Sequence, residues 1–240
     1  MKYELRTTNS KGFSLTEVLL AVGILAVGTL FIAGTFLVGI HFSTIATEQT
    51  IAAVAADEAF AKIKIYGVNL ADPNLQLGNL LVPFEKIVLI NPLNPDEFAY
   101  PSTNTVTEKQ YYWSALCRGV DPNTGLVQVT VFVCRKVGPV SARPVPVQVG
   151  ISAIGGIGNE KKLKINVAAE ETFINDGYTI VDNQTGQIYR VLERDASQPD
   201  RIILDRPWLG GATGFVWVVP PPVGSGRNPC IAVYPKVMRF

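Results

Sequence analysis

The sequence predicts an α+β fold: a long N-terminal helix, transmembrane and then amphipathic, packed on an antiparallel β-sheet head, with an added small all-β C-terminal segment. Three observations predict it. Residues 18–47 contain no Asp, Glu, Lys or Arg. Residues 111–136 carry the alternating apolar pattern of a β-hairpin. Short strand-like runs separated by turn residues then fill the region from residue 141 to the C-terminus.

The composition limits the classes of function. Of the 240 residues, 48% are hydrophobic and 17% are charged, and the mean hydropathy is +0.23. This average is too apolar for an ordinary soluble domain and too polar for a multi-span membrane protein. The net charge of +1 indicates no nucleic-acid partner. His41 is the one histidine, which excludes sites that need two imidazoles and disfavours a His-based catalytic triad.

The uncharged stretch predicts a membrane span. Its length exceeds the roughly 20 apolar residues that cross a bilayer, and also the roughly 7–15 apolar residues of a secretory signal peptide. Lys2, Arg6 and Lys11 precede it, against the single acid Glu4. The positive-inside tendency therefore predicts a cytoplasmic N-terminus and a head on the far side of the membrane. Glu17 is the one charge near the start of the apolar block.

The residues between the basic leader and the apolar run carry a resemblance. Residues 11–21 read KGFSLTEVLLA, which resembles the prepilin signature of type IV pilins and type II secretion pseudopilins. The resemblance implies that residues 1–12 are a leader, and that a prepilin peptidase cuts between Gly12 and Phe13 and N-methylates Phe13. A glycine fits the cleavage position because a residue without Cβ allows close approach to an extended backbone.

The resemblance also implies a role for Glu17 in assembly. After cleavage Phe13 carries a new cationic amine, and the carboxylate of a neighbouring subunit's Glu17 can pair with that amine in a low-dielectric filament core. Because an unpaired buried carboxylate is strongly disfavoured, the pairing sets the axial register of each new subunit. The alternative is an interfacial glutamate that merely reaches the headgroup region.

The predicted helix covers residues 13–66, with an apolar part over residues 13–47. Beyond Ser43 the pattern becomes amphipathic, and Glu58 precedes Lys62 by four positions in the favourable order for an ion pair. A helix of this length has no reason to exist in an isolated globular domain.

Residues 67–140 are expected to form the pilin-like β head. A Pro- and Asn-rich connection, with a possible strand at Lys86–Ile90, leads to a hairpin of strands Tyr111–Val120 and Leu126–Lys136. Gly125 is expected to supply the left-handed position that closes the turn.

Residues 141–240 are predicted to be an additional β-rich segment, a sandwich or a small barrel, that begins near the Pro-rich stretch Arg143–Pro146. Residues 182–186 repeat the Asp-x-x-Thr-Gly pattern of the first hairpin turn, which we interpret as shared turn chemistry. The strand candidates are Leu163–Val167, Tyr178–Val181, Gln187–Leu192, Arg201–Leu204, Gly214–Val219 and Ile231–Tyr234. The resemblance assigns no function to this segment.

The three cysteines are disulfide candidates, because the predicted orientation places the head in an oxidising compartment. In the predicted hairpin, Cys117 lies opposite residue 129 or 130. Cys134 is then about 13–17 Å away, beyond the Cα separation of about 7 Å that a disulfide allows. Cys230 with either Cys117 or Cys134 is therefore favoured, and three unpaired thiols are the alternative.

Other polar clusters predict no catalytic, metal or cofactor site. Glu170, Glu171 and Asp176 could serve acid/base chemistry, but solvated charge is the better interpretation. The sequence contains no Asp-x-Asp-x-Asp loop, so no calcium site is indicated. Residues 155–158 are Gly-rich but lack the Lys-Ser/Thr context of a phosphate loop, so they are interpreted as a flexible loop.

The sequence thus predicts a minor pilin- or pseudopilin-like filament subunit that is not an enzyme and needs no cofactor. The expected partners are other subunits, a prepilin peptidase and an inner-membrane assembly platform. The expected location is the bacterial inner membrane and then a periplasmic or extracellular filament. A single-span anchor that presents an unprocessed ligand-binding β domain is the alternative from another class. A hydrolase head is disfavoured because the sequence offers no plausible nucleophile–base pair.

Overall fold

A computed structural model describes most of the chain, which divides into two compact units, Met1–Thr47 and Glu48–Phe240. The described residues are 12–76, 80–90, 93–102, 109–121, 124–136, 143–156, 158–222 and 227–240. The predicted leader at residues 1–12 lies outside them except for Gly12.

The long helix α1 spans Leu15–Tyr66, which agrees with the predicted end of the helix. Gly67 ends it with a φ of 71°, and its N–H donates to the Ile63 carbonyl at 3.0 Å. The predicted Glu58–Lys62 ion pair is present at 3.3 Å. In the second unit the helix buries one stripe at helical spacing, formed by Ala52, Ala55, Ala56, Ala59, Phe60 and Ile63.

Eleven strands occur among the described residues. They are β1 Val82–Pro83, β2 Ala99–Tyr100, β3 Tyr111–Asp121, β4 Leu126–Arg135, β5 Val147–Ala153, β6 Lys162–Ile165, β7 Thr179–Asp182, β8 Ile188–Arg194, β9 Arg201–Leu204, β10 Thr213–Val218 and β11 Cys230–Arg239. Short helical turns cover Pro73–Gln76, Phe84–Ile87, Pro95–Phe98 and Ala168–Phe173.

The first sheet has the order β1-β3-β4-β11, with β2 paired to β3, and every pairing is antiparallel. The predicted hairpin is its centre, and Gly125 has the expected positive φ of 68°. Gly186, in the second Asp-x-x-Thr-Gly turn, has the same φ of 68°. The two glycines therefore share the left-handed conformation that the repeated pattern predicted, while residues 122–123 of the first turn lie outside the described residues.

The possible strand at Lys86–Ile90 is not formed. Phe84–Ile87 is instead one helical turn, and only Val88 makes an isolated bridge, with Val68. Phe84 and Ile87 are both fully buried, and a spacing of three residues puts them on the same side of a helical turn. Burial of this pair favours the turn over an extended strand.

The second sheet closes into a six-stranded barrel with the order β10-β5-β6-β9-β8-β7, in which β10 also pairs with β7. This resolves the predicted choice between a sandwich and a barrel. Five predicted strands match β6 to β10 within two residues at each end, and β5 was not predicted. Its interior holds apolar side chains from every strand, which include Ile151, Leu163, Ile180, Val191, Ile202 and Val216.

The barrel is inserted between two neighbouring strands of the first sheet. β4 ends at Arg135, the six barrel strands follow, and the chain returns as β11, which pairs with β4 from Cys230↔Cys134 to Arg239↔Leu126. The region 141–240, predicted as one added segment, therefore divides between the barrel and the first sheet. The long ladder between β4 and β11 satisfies the backbone of what would otherwise be an edge strand.

Both faces of the first sheet are buried. On one face, Trp113, Cys117 and alternate valines of β4 pack with the helix residues of the second unit. On the other face, Leu116, Phe132 and Cys134 pack with Val181, Trp217 and Val219 of the barrel region. The alternation of side chains along a strand separates these two layers.

Polar contacts fix the sheet to the barrel. The Asn183 side-chain oxygen accepts from Trp217 Nε1 at 2.8 Å and from the Leu81 N–H at 3.3 Å. From the first sheet, Arg118 donates to the Gln184 carbonyl at 2.6 Å. Asn183 is only 3% exposed, so these bonds satisfy a polar group that would otherwise be costly to bury.

An ion cluster joins the helix to the place where the chain leaves and re-enters the sheet. We call residues 134–135 and 227–230 the neck. The Glu48 carboxylate pairs with Arg135 at 2.9 Å, and Arg227 contacts both of its oxygens, at 3.0 and 3.2 Å. Glu48 and Arg135 are largely buried, which strengthens the pairing relative to a surface salt bridge.

A second carboxylate holds the C-terminal end of α1. Lys62 Nζ lies 3.2 Å from a Glu97 side-chain oxygen and donates to the Glu97 carbonyl at 2.7 Å. Trp113 Nε1 donates to the same carbonyl at 3.1 Å. A hydrogen bond from the Tyr66 hydroxyl, and then the charge of Lys62, lower the pKa of the Glu97 carboxyl. Glu97 therefore contributes stability as a carboxylate.

Glu48→Gln should loosen the neck, because the two arginines keep their positions but lose the negative charge between them. We expect a loss of about 1–2 kcal/mol in the free energy of opening β11, measured by hydrogen exchange of the β4 and β11 amides. The matched control is Glu193→Gln, an exposed glutamate with no ion pair among the described residues. Unchanged exchange in Glu48→Gln would contradict the role assigned to the cluster.

Glu97→Gln should reduce the acid sensitivity of the second unit. A carboxylate with a lowered pKa stabilises the fold fully above its ordinary pKa of 4.5, and that stability is lost as the pH falls through the lowered value. Urea unfolding of both proteins at about pH 7 and about pH 3.5 should show a smaller loss for the variant. Equal losses would mean that Glu97 titrates alike in folded and unfolded chains. Glu193→Gln should keep the wild-type dependence.

Candidate processing and assembly site

The start of α1 is defined by a side-chain cap. The Glu17 N–H donates to Ser14 Oγ at 3.2 Å, and the Ser14 carbonyl accepts from the N–H groups of Glu17 and Val18. Ser14-Leu15-Thr16-Glu17 thus has the Ser-x-x-Glu spacing of a capping box. The cap satisfies a donor that a helix N-terminus leaves unpaired. The helix consequently begins two residues after the predicted cleavage position.

Gly12 and Phe13 lie before this cap and are exposed. Phe13 is 81% exposed, and a Cβ added at Gly12 would meet no atom within 4 Å. Gly12 has no positive φ either. The conformation of the described chain therefore places no demand for glycine at this position, and the peptide bond between the two residues is accessible.

Glu17 lies in the first turn of α1, where the partial positive charge of the helix N-terminus favours an acid. Its side chain is exposed and has no ion-pair or hydrogen-bond partner in the described part of the chain. Phe13 precedes it by four positions. The carboxylate is thus available to a group from another molecule.

The first unit presents an apolar surface. Every large apolar side chain from Phe13 to Phe42 is exposed, and the least exposed of them, Val18, is still 48% exposed. Among the described residues one helix, Leu15–Tyr66, is by length and composition able to cross a membrane. Each such side chain contributes about 1.5–3 kcal/mol when it is moved out of water, so this surface favours an apolar environment.

The threonines of this unit are compatible with such an environment. Thr29 and Thr35 donate their hydroxyl protons to carbonyls three residues earlier, both at 2.9 Å. Thr44 and Thr47 donate to carbonyls four residues earlier, at 2.9 and 2.8 Å. Since the hydroxyl groups are satisfied within the helix, they need neither water nor a partner helix.

The three cysteines lie on two faces of the first sheet. Cys117 belongs to the layer that packs with the helix, and its partner in register is Val129. Cys134 and Cys230 belong to the layer that packs with the barrel, and they are partners in register. All three are buried as free thiols. The structure therefore brings together one of the two pairs that the sequence left open.

The remaining acidic candidates have structural partners. Glu170 accepts from the Gly150 N–H at 3.1 Å, Glu171 lies 3.4 Å from Arg194, and Asp176 accepts from the Arg194 N–H at 2.7 Å. The described residues contain no group of three or more His, Cys, Asp or Glu that could hold a metal ion. Each of these three acids therefore makes a structural contact of its own.

Sequence reasoning missed the Glu48 cluster and the Glu97 contacts. Glu48 is 87 positions from Arg135 and 179 from Arg227 in the chain. No local spacing marks such pairs, because they form only when the sheet returns the chain to the same place. The position of Glu48, at the first polar turn after the apolar block, is the one signal that the sequence offers.

Comparison with protein families matches residues 7–33 to the "Prokaryotic N-terminal methylation motif". This motif is the prepilin signature of type IV pilins and pseudopilins, and the resemblance seen in the sequence is confirmed. The match includes Gly12, Phe13 and Glu17 and ends before the second unit. No curated protein and no solved structure matches the chain. The signature supports a pilin-like subunit that is processed as a prepilin.

Proposed function

We propose that this chain, which carries the prepilin signature, is a minor pilin- or pseudopilin-like structural subunit of a type IV pilus or type II secretion filament. The observation that carries the proposal is the position of the signature. It lies on an exposed capped helix start, directly before an apolar surface that the described chain leaves uncovered. A filament of packed helices would cover that surface.

Processing is proposed at the bond between Gly12 and Phe13, by a prepilin peptidase that then N-methylates Phe13. The exposure of both residues supports cleavage at this bond. The fold itself does not require glycine at position 12, because an added Cβ would contact no other atom there. A peptidase that needs close approach to the backbone accounts for a glycine that the conformation of the chain does not require.

Assembly is proposed through Glu17 and the new N-terminal amine of a neighbouring subunit. The carboxylate has no partner among the described residues, and neither lipid nor an apolar helix bundle solvates an unpaired charge. Pairing with the amine removes this penalty only when the two helices reach one axial offset. The same pair therefore supplies attraction and register.

The proposed orientation places the N-terminus in the cytoplasm and the second unit in the periplasm, because Lys2, Arg6 and Lys11 precede the span. The precursor would be stored in the inner membrane and delivered to the filament by an assembly platform. The inserted barrel enlarges each subunit beyond a helix and one sheet. We therefore favour a minor subunit, present in few copies.

Gly12→Val should abolish processing without disturbing the helix, since a side chain at position 12 meets nothing in the described chain. N-terminal sequencing of the membrane protein should give the free or methylated Phe13 for the wild type and an intact leader for the variant. Gly28→Ala, at another uncrowded glycine, is the matched control and should be processed normally. An intact Met1 in the wild type would instead favour an unprocessed membrane anchor.

Glu17→Ala should leave membrane insertion and processing unchanged but reduce incorporation into filaments by about tenfold or more, the effect of losing one charged pair of about 1.4 kcal/mol or more. Sheared filaments and membranes are quantified by immunoblot, and the N-terminus is sequenced in both. Thr16→Ala controls for a change at the neighbouring helix position. Normal incorporation of Glu17→Ala would overturn the assembly role.

A further inference from the structure

Two of the three cysteines lie at the neck, where the barrel insertion begins and ends. Cys134 is the penultimate residue of β4, and Cys230 is the first residue of β11. All six barrel strands lie between them in the chain. A covalent bond at this position would therefore enclose the whole barrel in one loop.

The hydrogen bonds around this pair define its geometry. Cys134 and Cys230 are partners in register, and the Arg135 N–H donates to the Pro229 carbonyl at 2.9 Å. Arg135 follows Cys134 and Pro229 precedes Cys230. In an antiparallel ladder, a backbone hydrogen bond between these two neighbours means that Cys134 and Cys230 themselves form a non-hydrogen-bonded pair. Such pairs have Cα atoms about 4.5 Å apart, and their side chains approach most closely. This separation is within the range of about 4.4–6.8 Å that disulfides use.

The side chains of this pair also share a face. Both belong to the layer between the first sheet and the barrel, and Cys230 Sγ lies 3.7 Å from the Ala232 carbonyl oxygen. Cys117 belongs to the opposite layer, against the helix. Because the backbone of the sheet lies between the two layers, Cys117 cannot reach either partner without unfolding the strand.

We propose that Cys134 and Cys230 form a disulfide in the mature chain and that Cys117 remains a thiol. The inference rests on the proposed function for one point, the location of the second unit in an oxidising compartment. The two S–H bonds break, one S–S bond forms, and two protons and two electrons leave the chain. The electron acceptor is a protein disulfide of the thiol-oxidase class, which is reduced to a dithiol.

The burial of the thiols determines when this bond forms. The hydrogen bond that the Cys134 thiol donates to Cys230, and then burial, raise the pKa of the Cys134 thiol. Burial also raises the pKa of Cys117. Since the thiolate is the attacking species, the closed neck reacts slowly. Oxidation therefore occurs while β11 is still adding to β4, and the completed bond then fixes the register of that strand.

The disulfide has a consequence for the stability of the head. β11 is an outer strand of the first sheet, and its contact with β4 holds the second connection of the barrel. A bond at the neck prevents β11 from separating even when the barrel opens locally. Loss of the bond should increase cleavage by a protease near the neck by about tenfold, because outer strands open more readily than the core.

The pairing is tested on the full chain in the membranes of cells that make it. Free thiols are blocked with N-ethylmaleimide before lysis, and the non-reduced protein is digested and mapped by mass spectrometry. We expect a linked peptide pair that contains Cys134 and Cys230, with Cys117 alkylated only after denaturation. Cys134 and Cys230 that become alkylated without prior reduction, in the native protein or after denaturation, or any linked peptide with Cys117, would overturn the proposal.

The same digest separates this proposal from the proposed function. A peptide that begins at Phe13, together with free Cys134 and Cys230, overturns the disulfide alone. An intact Met1 together with the linked pair overturns processing alone, and an intact Met1 with free thiols overturns both. Because the N-terminal peptide and the cystine peptides are read independently, every combination decides each proposal.

Serine variants give a second readout. Cys134→Ser, Cys230→Ser and the double variant should show the same increase in cleavage, since losing either thiol removes the one bond. Cys117→Ser is the matched control, and it should keep the linked peptide. Additive effects of the two single variants would mean that the cysteines contribute separately through packing, and the proposal would fail.

Discussion

The pairing of β11 with β4 is the contact on which the arrangement of the second unit depends. The barrel starts after one of these strands and ends before the other, so both of its connections must meet at one end of a two-strand ladder. Glu48 places a carboxylate between the two arginines at that point, and the cysteine pair lies beside them. The register of one strand pair thus determines the ion cluster, the thiol pair and the attachment of the barrel.

The alternation of side chains in the first sheet explains why its two layers behave as separate cores. Val129, Val131 and Val133 contact the helix side, while Phe132 and Cys134 contact the barrel side. A slip of one residue would exchange the two sets and bury the wrong groups on each side. The 10-residue strand β4 is therefore under constraint on both faces, unlike a strand with one solvated face, whose polar side chains tolerate change.

The sequence predicted the elements that depend on local pattern, and it missed the contacts between residues that are far apart in the chain. The helix end at Gly67, the hairpin closed by Gly125 and five barrel strands follow from periodicity and turn chemistry. β5 was missed because its alternation begins directly after a Pro-rich stretch. The partner of β11 could not be found either, since 94 residues separate it from the end of β4. At the proposed site, Gly12, Phe13 and Glu17 could be named from the sequence because a local motif includes them, whereas Glu48 has partners that only the fold supplies.

The apolar surface of the first unit raises one physical question, namely what distinguishes a neighbouring helix from lipid. Both environments accept the exposed leucines, valines and phenylalanines about equally well, because lipid tails are as apolar as those side chains. Residues 18–47 contain no charge that could discriminate. Glu17 is different, since its carboxylate is disfavoured in both environments unless a cation meets it. Apolar burial therefore stabilises the helix equally in lipid and in the proposed filament. Pairing of Glu17 with a cation favours the filament, and only at one axial offset between neighbouring helices.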